Sequence, residues 1–154
     1  MAPRSKYAEG TEVPIDRSKA EIERVLAKYG ADEFVYGIKG GRAMIAFVAN
    51  GKQVRFILPL PNLEDLKKTA TGRARRGGAV NEAFEGEMRR RWRSLALVLK
   101  AKLEAVSTGI VTFEEEFLPY IVLPGGQTVG EKIIPSLDAA YASGKLPKLL
   151  PDLR

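Results

Sequence analysis

Three blocks of alternating apolar residues, EFVYGIK, RAMIAFVA and KQVRFIL, lie between Glu33 and Leu58, separated by Gly40-Gly41 and Asn50-Gly51. Alternation with period two marks strands that bury one face. Both dipeptides accept the positive φ of tight type I′ hairpin turns. Such turns pair Lys39 with Arg42 and Ala49 with Lys52. Counting back opposes Phe34 to Phe47, Tyr36 to Ile45 and Ile38 to Ala43, then Phe47 to Val54 and Ile45 to Phe56. All these residues then share one face, as a meander requires. The opposite face, which includes Val35, Met44, Ala46, Val48, Arg55 and Ile57, is more apolar than a solvated surface needs. It calls for a cover: another segment, a neighbouring subunit or a ligand.

Helical periodicity flanks the strands. Ser18–Gly30 reads as a helix opened by a Ser18/Glu21 capping box. Ile22, Val25, Leu26 and Tyr29 form its apolar face, and Gly30 stops it. Asn81–Val106 is the longest helix, with Asn81 as N-cap. Its stripe of Phe84, Met88, Trp92, Leu95, Leu99, Leu103 and Val106 is expected to lie on the Phe34/Tyr36/Ile45/Phe47/Phe56 face. Two further capping boxes, Thr112/Glu115 and Thr128/Glu131, open a short acidic helix and a second one reaching about Ser143. The second is expected to be disturbed at Pro135 and stopped by Gly144. Residues 120–123 read as a short strand. The fold class is therefore α+β: an N-terminal helix, a three-stranded antiparallel β-meander, a long helix packed on the sheet and a smaller C-terminal helical segment. The expected organisation is a flexible arm (1–14), a core domain (15–106) and a C-terminal extension with tail (107–154).

Composition narrows the chemistry. The chain has no cysteine and no histidine. Disulfides, zinc sites built on Cys/His and a histidine general base are thereby excluded. No apolar run approaches the roughly 20 residues of a membrane-spanning helix, and the N-terminus lacks the apolar stretch of a signal peptide. The expectation is a cytoplasmic protein that needs no cofactor or metal, with no membrane partner.

Charge singles out one segment. Lys67–Lys102 holds eleven Lys/Arg against three Glu, a local charge of +8 in a chain of net charge +6, so the remainder nets −2. Within the loop KKTATGRARRGG, Lys67, Lys68, Arg73, Arg75 and Arg76 are suited to following a phosphate backbone. Arg89, Arg90 and Arg93 would add contacts from a rigid helix. The glycine-rich loop is expected to be mobile until a partner orders it. Trp92 lies among these arginines, but its place in the apolar stripe assigns it to the core. Strong basicity with weak aromatic support points to backbone contact with little reading of sequence. The same cations would equally suit an acidic protein partner.

Glu114-Glu115-Glu116 is the one carboxylate run with the makings of a divalent-cation site, and it keeps a metal-dependent nuclease as a minor alternative to a non-enzymatic role. Carboxylates in the first turn of a capped helix explain it more simply. GGQTVGEK at 125–132 approaches a phosphate loop but places Glu131 where lysine is needed.

The runs YGADEFVYGIKGGRAMIAFVANGKQVRFILPLP and WRSLALVLKAKLEAVSTGIVTFEEEF resemble small phage- and prophage-encoded proteins. The order of three strands then a long helix, over roughly Ser18–Val106, also resembles the core of phage single-strand annealing proteins, the Red-beta/RecT and Rad-type superfamily. That resemblance implies binding of single-stranded DNA (or RNA), assembly into rings or filaments, and strand pairing without ATP. It is one of element order and carries no individual residue across. The expected function is single-stranded nucleic-acid binding by a homo-oligomer in phage recombination. The alternative is a phage-encoded module that inhibits or redirects a host protein.

Overall fold

The computed structural model describes residues 6–146; residues 1–5 of the expected arm and 147–154 of the expected tail lie outside the described residues. Helix α1 spans Lys6–Lys28, strands β1, β2 and β3 span Asp32–Lys39, Arg42–Ala49 and Lys52–Pro59, and helix α2 spans Ala79–Ser107. Helices α3 (Phe113–Phe117) and α4 (Val129–Ser143) follow, with single 3-10 turns at Glu64–Leu66 and Leu118–Tyr120.

The strands form an antiparallel sheet in the order β1-β2-β3. Both hairpin turns place two consecutive residues at positive φ, Gly40-Gly41 (59° and 72°) and Asn50-Gly51 (50° and 70°), as type I′ geometry demands. The observed partners Tyr36–Ile45, Ile38–Ala43, Phe47–Val54 and Ile45–Phe56 match the register expected from those turns. The expected Phe34–Phe47 pair is not formed. Asp32 pairs with Val48 and Val35 with Ala46, so Glu33 and Phe34 together oppose Phe47. This is a β-bulge, with Glu33 at φ 53°. The extra residue still leaves Phe34 packed against the core.

Helix α1 begins at Lys6, so Ser18 lies inside it and does not open it. Ile15, 2% exposed, continues the stripe of Ile22 and Leu26 by two turns, and its burial extends the helix beyond the capping box. Helix α2 likewise starts at Ala79, with Gly78 in the N-cap position and no side-chain cap. It follows directly on a turn in which the Ala79 N–H donates to the Arg76 carbonyl. Its stripe is placed as expected: Met88, Trp92, Leu95, Leu99 and Leu103 are buried, with Phe84 and Val106 partly so.

Helices α1 and α2 pack along each other. The Tyr29 hydroxyl donates to the Glu104 carboxylate where both helices end. Arg17 and Ser18 face Arg89 and Arg93 nearer their starts. The two helices therefore run parallel.

The C-terminal third belongs to the same core. Phe117 meets Phe47 and Phe56 edge-on at 6.1 and 6.4 Å, and Phe113 stacks on Phe117 at 4.8 Å. Both expected capping boxes are formed, each by threonine and glutamate reciprocally. The expected strand at 120–123 is reduced to isolated bridges, Ile121 to Val54 and Val122 to Thr128. Helix α4 continues through Pro135 and ends at Gly144 in the left-handed conformation, φ 69°. A Cβ at Gly130 would stand 2.8 Å from the Pro119 carbonyl oxygen, so only glycine lets α4 approach this closely.

On the outer face of the sheet, Arg55 pairs with Glu131 of α4 at 3.0 Å. The C-terminal segment thus reaches the β3 margin. On the same face, Val35 of β1 and Ile57 of β3, the latter beside α4, remain 52% and 42% exposed.

Candidate nucleic-acid interface

The basic loop is folded by its own hydrogen bonds, contrary to the mobile segment its glycines lead one to expect. Thr69 N donates to Arg73 O at 2.7 Å and Gly72 N to Thr69 O at 2.9 Å, closing a turn. The Thr69 hydroxyl accepts from Arg73 N. Arg75 N donates to Lys67 O at 2.7 Å. The Arg75 guanidinium turns back and donates to the carbonyls of Leu66 and Lys68 at 2.8 and 2.7 Å. Arg75 thereby satisfies carbonyls that no regular element uses, and its role here is to hold the turn.

The eight cations expected at the interface separate into two groups. Lys67 pairs with Glu64 at 2.7 Å, and Arg90 with Glu87 at 3.2 Å. With Arg75 these three have partners within the chain. Lys68, Arg73, Arg76, Arg89 and Arg93 are exposed and make no ion pair among the described residues. Arg73 and Arg76 project from the turn, which leads directly into α2. Arg89 and Arg93, one helical turn apart, stand on the side of α2 that faces α1. Arg91 faces the other way: its guanidinium pairs with Glu87 and donates to the Pro59 carbonyl, bracing α2 against the end of β3.

Trp92 is fully buried, its ring centroid 5.1 Å from that of Tyr36. The Lys19 ammonium lies over the Tyr36 ring, 4.0 Å from its centroid. These rings are spent on packing, so base stacking on Trp92 is closed to a ligand.

The acidic run is dispersed. Glu114 accepts from Lys52 at 2.8 Å and from Asn50 at 3.0 Å. Glu115 closes the Thr112 capping box. Glu116 pairs with Lys102 at 2.9 Å. The three carboxylates diverge, and no group of three His, Cys, Asp or Glu with metal-binding proximity occurs among the described residues.

The Lys52 ammonium holds the Glu114 carboxyl below the usual range. The Thr112 backbone and hydroxyl do the same for Glu115. A carboxylate whose folded pKa is depressed contributes stability that is present above its unfolded value and lost as pH falls through the folded one. The thermal midpoint should therefore decline below about pH 4.5, as the α3 contacts protonate. Glu115→Gln should flatten that acid limb, read from melting curves across the acid range.

One cation of this surface lies outside the basic segment. Arg17 of α1 faces Arg89 and Arg93 across the helix seam. Sequence reasoning passed over it because nothing local announces which helices become neighbours.

The fold and surface thus define an α+β protein with two parallel helices on one side of a three-stranded meander and a basic stripe along α2. No protein-family model matches the chain, and comparison with curated proteins and with solved structures finds no significant match. No helix among the described residues is long and apolar enough to cross a membrane.

Proposed function

We propose that this protein binds single-stranded nucleic acid through the exposed cations of the Lys67–Arg76 turn and the middle of α2. It would act as an oligomer in phage recombination or replication. One observation carries the reading: a local charge of +8 in a chain of +6, of which Lys68, Arg73, Arg76, Arg89 and Arg93 are solvent-facing without an ion pair among the described residues. A polyanion displaces counterions from such a surface and gains affinity by doing so. Burial of Trp92 supports contact to the backbone over reading of bases. The order of three strands then a long helix, which resembles that of the annealing proteins, suggests the biological setting of this reading.

The test separates the turn from its scaffold. Arg73→Ala with Arg76→Ala should weaken binding to every single-stranded sequence about equally. The slope of log affinity against log salt should fall by about 0.7 per lost contact. Arg75 is left in place because its guanidinium bonds the carbonyls of Leu66 and Lys68, and its loss would disturb the turn itself. An unchanged affinity and slope would remove the turn from the interface.

Exposed apolar residues favour a second reading, a module that docks on another protein. Ile134, Leu137 and Tyr141 of α4 are 54%, 45% and 86% exposed and share one helical side. In the annealing reading, that side and the outer sheet face would instead join copies of the chain, and avidity along an array would compensate for weak single contacts. Solution mass with and without a long oligonucleotide distinguishes them. Assembly on the oligonucleotide supports the annealing role, and a monomer in both conditions supports the protein-binding module.

A further inference from the structure

The seam between α1 and α2 gathers cations from two parts of the chain that are distant in sequence. Arg17, Ser18 and Glu21 of α1 and Arg89, Arg93 and Leu97 of α2 line a cleft of about 470 Å³. Three guanidinium groups there face one carboxylate. All three arginines are exposed, and none makes an ion pair among the described residues. Like charges gathered in one concavity raise its potential, and an anion entering it is stabilised by all three at once. Guanidinium forks match phosphate oxygens in pairs, which an ammonium does not. Leu97 is one turn beyond Arg93 and 58% exposed. It offers an apolar surface beside the charges.

We propose that this seam seats the sugar–phosphate backbone of a single strand. Arg17, Arg89 and Arg93 contact phosphates, the Ser18 hydroxyl adds a hydrogen bond, and Leu97 packs against a sugar or base. Glu21 offsets one of the three positive charges there and leaves the cleft net positive. Lys68, Arg73 and Arg76, towards the start of α2, draw the strand in at longer range. This inference rests on the nucleic-acid reading above and locates its principal site in the seam, with the turn as an accessory.

The experiment compares the full chain with two variants, Arg17→Ala/Arg89→Ala/Arg93→Ala and Arg73→Ala/Arg76→Ala, on labelled oligodeoxythymidylate and oligouridylate. The seam variant should lose roughly tenfold or more in affinity, and its salt slope should fall by about 2, from 0.7 per contact on a single strand. The turn variant should lose less. Replacing the same three seam arginines by lysine should restore only part of the affinity lost in the alanine variant, since charge is kept and the fork is not. Melting curves should coincide for all variants, because the residues replaced are exposed. If the seam variant binds like the parent while the turn variant fails, the seam is overturned and the broader reading stands. If the parent binds neither oligonucleotide, both fall. If polyglutamate competes as well as the oligonucleotides, phosphate recognition is overturned in favour of an acidic protein partner.

Discussion

Replacing Trp92 with alanine should cost about 3–5 kcal/mol of stability, the range for truncating a large buried aromatic. In a domain of this size that lowers the thermal midpoint by roughly 10 °C or more. Trp92 sits in mid-helix at the centre of the α2 stripe, with no exposed surface and its ring against Tyr36. Its indole Nε1 is buried without a hydrogen-bond partner among the described residues. The ring's contribution is therefore packing, with a polar atom carried along at a cost. Trp92→Phe should lose less than about 1.5 kcal/mol, because most of the volume stays and the orphan N–H goes. The discriminating outcome is a Trp92→Ala protein that melts like the parent and fails to bind DNA. Trp92 would then be a stacking platform, and its assignment to the core would be overturned.

Phe117→Ala should be about as damaging, again on the order of 3–5 kcal/mol. Phe117 comes from a helix of five residues that could not persist alone. The Thr112/Glu115 box sets where that helix starts, and this aims Phe117 between Phe47 and Phe56. Edge-to-face contacts with both rings and the stack with Phe113 tie the last third of the chain to the sheet. A single cooperative melt that moves down as a whole is expected from calorimetry. A variant whose main transition stays put while a small one disappears would show that the C-terminal segment folds separately.

These two residues also show what a linear reading can reach. Trp92 was assignable from spacing alone, since its neighbours in the stripe recur with helical period. The hairpin register was legible because type I′ turns leave no slack between Lys39 and Arg42 or between Ala49 and Lys52. The bulge was not, because the alternation of EFVYGIK runs through Glu33 and Phe34 without interruption. The reach of α1 was hidden by Gly10 and Pro14, which read as loop, although Ile15 already stood in line with Ile22 and Leu26. The charges were countable, but their roles were not. Arg75 looks like Arg73 and Arg76 in sequence, and only the carbonyls of Leu66 and Lys68 distinguish it. Arg17 becomes relevant only through the parallel packing of α1 and α2, a long-range fact with no local signature.

Nucleic-acid binding is tested most directly by anisotropy of a labelled single strand, and of a duplex of equal length, titrated with the unmodified protein over a range of salt. Tighter binding of the single strand is predicted, with log affinity falling linearly against log salt at about 0.7 per phosphate contacted. Absence of binding, or binding indifferent to salt, would contradict it.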